Sequence, residues 1–337
     1  MSATTAAPRS RGRLRRFFGG QSNIDFVGRS RLWFGVSIIL LVLCALILVF
    51  RGLNFGIDFT GGTSLIVEGA TGSFTAEDVR TALGDLGIDE ANVQLTADGT
   101  GALISTTALD EVAGTQQREV VDRLTQVTGA GRDQIQVSAI GPRWGAQISY
   151  QAARGLVVFL LLVGAYIAFR FEWRMAVAAL ATLLHDIILT IGIYALVGVQ
   201  VTPAAVISLL TILGYSLYDT VVVFDRITED TQRLGSSSSR TYSQAANTSL
   251  NHVLVRSLST GVTSLLPVGA LLFIGAQLLG ADTLKDLALA LFIGMAVGVY
   301  SSLAVATPLL CWLKEREPRW AELRHRLETR RGKAVSS

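Results

Sequence analysis

Long uninterrupted apolar stretches dominate the hydropathy pattern of this chain, where a soluble domain would show half-buried helices and alternating strands. The first covers residues 32–50, nineteen uncharged positions bracketed by Arg31 and Arg51. About 20 residues of helix cross a bilayer, so this stretch predicts a membrane span. Further stretches at about 150–169, 175–199, 201–224, 257–277 and 287–313 bring the predicted number of spans to six. Residues 51–145 then form one domain between the first and second spans, and 146–313 a five-helix membrane region. Within that domain the pattern shortens. Strands are predicted at 64–68, 92–96, 102–106 and 134–140, with helices at 75–86 and about 110–127. Thr75 and Asp78 have the spacing of a capping box. The order β-α-β-β-α-β is ferredoxin-like. The predicted fold class is therefore a polytopic α-helical membrane protein with six transmembrane helices and one extracytoplasmic ferredoxin-like α+β domain.

Composition agrees: of 337 residues, 50% are hydrophobic and only 16% charged, against roughly a quarter charged in soluble domains. The net charge of +3 conceals an asymmetry. Residues 1–50 carry seven Arg against one Asp, residues 51–150 six basic against thirteen acidic, and residues 151–337 sixteen against twelve. Basic flanks mark the cytoplasmic side, so the N-terminal stretch 1–31, the turn 170–174 and the tail 314–337 are expected there, and the acidic domain outside. The basic ends are read as topogenic, with no nucleic-acid partner. The leader and first apolar run are read as an uncleaved anchor, because no small-residue cleavage site follows Phe50. The polar stretch 225–256 reads as a cytoplasmic loop with a short linker at 236–239. Cys44 and Cys311 lie inside apolar runs, which excludes a disulfide framework. The domain contains no His or Cys, so it reads as a binding module, with no metal site and no enzymatic nucleophile.

Ionisable groups within spans are costly and are functional candidates by default. Asp186, following His185, lies about eleven residues into the third span, and Asp219 lies in the fourth, six residues before Asp225. The best cation for Asp219 is Arg256, at the start of the fifth span, with His252 one turn earlier. Tyr215 and Ser216 precede Asp219 by four and three residues, on its face of the helix. Asp219, Arg256 and Asp186 form the candidate proton relay, supported by Tyr215, Ser216, His185 and His252. A static Asp219–Arg256 ion pair is the alternative. Gly294 and Gly298 have the spacing of close helix packing, and Pro267 predicts a kink in the fifth span.

Three motifs carry a resemblance: Gly56-Ile57-Asp58-Phe59-Thr60-Gly61-Gly62 after the first span, Leu184-His185-Asp186 in the third, and GYSLYDTVVVFDRI at 214–227. With the span order, the chain resembles the SecF family of bacterial protein-export membrane proteins, relatives of proton-driven efflux pumps of the resistance-nodulation-division class. The resemblance implies a partner, SecD, and assistance to the SecYEG channel in exporting preproteins, with a YidC-type insertase as a further neighbour. It implies protons as the coupling ion, no other cofactor, and a place in the bacterial cytoplasmic membrane with both termini inside. It also assigns Asp219 and Arg256 to the proton pathway. The family usually has Asn where this chain has Tyr218. The glycine motif, represented by Gly56, Asp58, Gly61 and Gly62, is expected to act as a hinge to the outer domain, with a packing role alone as the equal alternative. The reading from another class is a complete small-molecule or lipid exporter, disfavoured because a single six-span half lacks internal duplication.

Overall fold

The computed structural model describes residues 24–335 except 89–90, 97–98, 107–108, 110–114, 141, 233, 235–238 and 276–281. Residues 1–23 and most of the linker expected at 236–239 lie outside the described residues. In chain order the elements are α1 (Ser30–Arg51), α2 (Ile57–Thr60), β1 (Gly62–Val67), α3 (Ala76–Gly84), β2 (Ala91–Leu95), β3 (Ala102–Thr106), α4 (Thr115–Thr128), β4 (Ile135–Ile140) and α5 (Pro142–Arg170). They continue with α6 (Trp173–Val197), α7 (Pro203–Gln232), α8 (Tyr242–Ala270), α9 (Asp282–Ser301), α10 (Thr307–Lys314) and α11 (Pro318–Val335). Single π-helical segments follow α8 (Leu271–Gly275) and α9 (Ser302–Ala306). The chain forms two compact units, one made of Leu53–Leu156 with Gln200–Pro203 and the other of the membrane helices and chain ends.

The smaller unit contains an antiparallel sheet of order β2-β3-β1-β4, with β1 in register between β3 (Leu65 opposite Ile104) and β4 (Leu65 opposite Val137). Alternation along β1 and β3 puts Leu65, Val67, Ala102 and Ile104 into one core with Val79 and Leu83 of α3 and Val120 and Leu124 of α4. The capping box at the start of α3 forms: Thr75 Oγ1 accepts from the Asp78 N–H at 3.2 Å, and Asp78 Oδ2 accepts from the Thr75 N–H at 2.8 Å.

Among the described residues, six helices are long and apolar enough to cross a membrane: Ser30–Arg51, Trp144–Arg170, Trp173–Val197, Pro203–Gln232, Tyr242–Ile274 and Lys285–Lys314. The third and sixth have 61% of their apolar windows buried and the second 6%, so the third and sixth form the centre of the bundle. Close approach depends on small residues. A Cβ on Gly192 would fall 2.3 Å from Cys44 Cβ of α1, and one on Gly294 2.3 Å from Ile212 of α7.

The polar stretch 225–256 is not a loop. α7 runs on to Gln232, and α8 begins at Tyr242, behind a capping box of Thr241 and Gln244. An apolar stripe of Phe224, Ile227, Tyr242, Ala246 and Leu250 keeps these extensions in the core, which an average over the run conceals. The tail is likewise ordered as the amphipathic α11, with Trp320, Leu323 and Leu327 buried and the Trp320 ring 5.0 Å from that of Tyr242. Lys314, 3% exposed, meets Glu172 and Glu317, and Glu317 also pairs with Arg174. Asn247 and Asn251 clamp the segment before α1: Asn251 Oδ1 accepts from the Ile24 N–H at 2.9 Å, and Asn247 Oδ1 from the Phe26 N–H at 2.9 Å.

Hydrogen bonds from the Thr75 hydroxyl and then its backbone N–H hold the Asp78 carboxyl below the ordinary aspartate value of 3.8. A depressed carboxyl stabilises the fold above the unfolded value, and that contribution fades as pH falls through the folded one. Hydrogen exchange in the first turn of α3 should therefore be slowest near neutral pH, relative to the intrinsic rate, and lose protection below about pH 4. Thr75→Ala should speed it about fivefold at neutral pH.

Candidate functional site

The polar centre of the membrane unit grows from the third span. His185 and Asp186 are 5% and 1% exposed, and Asp186 Oδ1 lies 3.2 Å from His185 Nδ1. Asp186 Oδ2 accepts from the Ser216 hydroxyl of α7 at 2.6 Å. A Cβ on Gly298 would lie 3.0 Å from Ser216 Cβ, so a glycine there lets the sixth span close over this bond. His185 Nε2 is buried without a hydrogen bond, and its ring lies 6.2 Å from that of Tyr300, whose hydroxyl meets Ser37 of α1 at 2.8 Å.

One turn along α7, Asp219 is buried and its Oδ1 accepts from the Ser257 hydroxyl of α8 at 2.7 Å. Arg256 acts on Asp219 through space, but no ion pair joins the two among the described residues. The Arg256 guanidinium instead donates to the Tyr218 hydroxyl at 3.3 Å. Neighbouring residues on a helix point about 100° apart, so α7 and α8 meet in two adjacent pairs, Asp219 with Ser257 and Tyr218 with Arg256. The static Asp219–Arg256 ion pair weighed as the alternative is thus absent among the described residues, and Arg256 bonds to Tyr218 instead.

Other supporting roles change as well. Ser216 serves Asp186 rather than Asp219, and Tyr215 makes no hydrogen bond to either carboxylate. His252 lies 4.0 Å from Asp230, which also accepts from Ser249 at 2.7 Å and pairs with Arg226 at 3.2 Å. Ser257 and Ser302 belong to the site and were missed by sequence reasoning, since a serine hardly lowers the hydropathy of an apolar run. The Ser301-Ser302 pair midway along the last run was the available signal. No group of three or more His, Cys, Asp or Glu able to hold a metal occurs among the described residues.

The glycine motif has a packing role in the structure. Phe55 bridges to Val201 in parallel, and the Gly56 N–H donates to the Val201 carbonyl at 3.0 Å. Gly61 and Gly62 have φ of 74° and 134°, where a side chain is strained, and a Cβ on Gly62 would fall 2.3 Å from the Thr106 carbonyl oxygen. Burial pushes the Asp58 carboxyl up, partly offset by its own backbone N–H. The motif lies inside the smaller unit, a few residues after the boundary between Gly52 and Leu53.

Among the described residues, six apolar helices, two buried carboxylates and a β-α-β-β-α-β domain define a multi-pass membrane protein with one α+β domain. Residues 120–316 match the family "Protein export membrane protein SecD/SecF, C-terminal", and residues 46–70 match the "SecD/SecF GG Motif". Protein translocase subunit SecF of Streptomyces coelicolor is 43% identical over 95% of this chain and 85% of its own length; that of Vibrio alginolyticus is 33% identical over 86% and 89%. The crystal structure of SecDF, a translocon-associated membrane protein from Thermus thermophilus, superposes with a TM-score of 0.78 at 32% identity, covering 88% of this chain. This chain spans 39% of the SecDF chain. The chain belongs to the SecF family.

Ser216→Ala would leave the buried Asp186 Oδ2 without its donor. A loss of about 2 kcal/mol is expected, read as a lower unfolding temperature of the purified full-length protein in detergent, with Tyr215→Phe close to wild type.

Proposed function

We propose that this chain works with SecD as an auxiliary subunit of the Sec translocase, drawing on the proton-motive force to assist export of preproteins through SecYEG. The observation that carries the reading is Asp219: a buried carboxylate in a SecF-family bundle, bonded to a neutral hydroxyl, with its cation nearby but held on the adjacent tyrosine. Such a group can take up and release a proton without breaking an ion pair. Protonation removes the charge that Ser257 and Arg256 favour and lets the fourth and fifth spans shift. A proton crossing with 100 mV supplies about 2.3 kcal/mol, roughly a fiftyfold bias on a two-state movement. That movement is passed to the acidic domain outside the membrane.

Arg256 and the 56%-exposed Tyr218 lie on an open face of the bundle, which we assign to the SecD partner. The SecDF chain is more than twice the length of the matched part, which leaves room for a SecD portion beside it. Both termini lie in the cytoplasm of a bacterial cell, as the basic ends require, and a YidC-type insertase is a further neighbour. The reading involves protons alone as coupling ion and no catalytic residue. In inverted membrane vesicles containing SecD and the channel, Asp219→Asn should abolish the gradient-dependent part of export and leave export with an uncoupler unchanged. Export that responds to the gradient as in wild type would show the reading to be wrong.

A further inference from the structure

The Asp219 carboxylate is half satisfied. Oδ1 has the Ser257 hydroxyl, whereas Oδ2 is buried with no hydrogen bond among the described residues, a costly state for an ionised oxygen. Ser302, fully buried in the sixth span, is close enough to act on this carboxyl but lacks the geometry of a hydrogen bond to it. Its hydroxyl is engaged elsewhere, 3.1 Å from Thr220 Oγ1 and 3.4 Å from the Ser216 carbonyl oxygen. A serine has one O–H to donate, and 3.4 Å is long for an O–H···O bond, so the donor is weakly held.

Ser302 also opens the π-helical segment Ser302–Ala306, an irregularity that interrupts the α-helical ladder and is frequent at functional sites. This segment packs against α1 and α6, the helices that carry Ser37 and Asp186. The other charged or titratable groups around Asp219 are Arg256 from α8 and, through Ser216, the Asp186–His185 pair of α6.

We propose that Ser302 is a positioning residue for the proton site: its hydroxyl turns from the Ser216 carbonyl oxygen to donate a hydrogen bond to Asp219 Oδ2 when Asp219 is ionised, and the π-segment of the sixth span moves with it. The proposal rests on Asp219 as the proton site. It supplies the means by which a charge on the fourth span acts on the central sixth span, which has no acidic or basic residue of its own between Asp286 and Lys314.

The test is the pH dependence of gradient-driven export in vesicles containing SecD and the channel. Ser302→Ala removes a donor to an ionised group, so the midpoint should move about one unit toward higher pH, a tenfold change in proton affinity, with uncoupled export unchanged. Ser302→Thr keeps the hydroxyl and should keep the wild-type midpoint. Should the alanine variant fail to fold, Ser302→Cys, with a weaker donor, should give a smaller shift in the same direction. An alanine or cysteine profile superimposed on wild type overturns the proposal, as does a threonine variant shifted as far as alanine. If Asp219→Asn abolishes gradient-driven export while the Ser302 variants behave as wild type, only the role of Ser302 falls; if Asp219→Asn exports normally, the proton site itself falls.

Discussion

The hydrogen bond from Ser216 to Asp186, 2.6 Å long, is the constraint around which the membrane unit is organised. A carboxylate 1% exposed in the third span has no water to turn to, so a donor must come from a neighbouring helix. That donor fixes the rotation of the fourth span, and the rotation places Asp219, three residues on, against the fifth. The sixth span must then lie close enough to seal both, which explains Gly298 over Ser216 and Gly294 over Ile212. The Ser216–Asp186 contact ties the third span to the fourth, and Asp219 with Ser257 ties the fourth to the fifth.

The smaller unit follows different physics. Its sheet faces water on one side, so its strands alternate and its core lies between the sheet and two helices. Gly62 sits where backbone approaches backbone, beside Thr106. Glycine serves helix proximity in one unit and strand proximity in the other.

Much of this was legible in the sequence. Continuous apolar runs announced the spans, because crossing lipid leaves the chain few alternatives. Thr75 announced α3 through its capping partner three residues on. Asp186 and Asp219 stood out because charge is rare in such runs. What stayed hidden depends on angles around helix axes: Arg256 and Ser257 are adjacent in sequence, yet only the serine faces Asp219. Asn247 and Asn251 looked like unremarkable loop residues until α8 placed them one turn apart on a common face. The extensions of α7 and α8 escaped notice because half their positions are polar, and a run average cannot distinguish an amphipathic helix from a loop.

Those extensions have a mechanical consequence. From Tyr242 to Ser257, α8 continues as helix for about 22 Å before its apolar run begins. Along it are fastened the segment before α1, through Asn247 and Asn251, and the C-terminal helix, through Tyr242. A stiff rod of that length converts a tilt of 10° at its base into a sweep of about 4 Å at its far end. The segment at Ile24–Phe26 and the helix carrying Trp320 therefore ride on one lever, and whatever rocks the fifth span is amplified at both attachments.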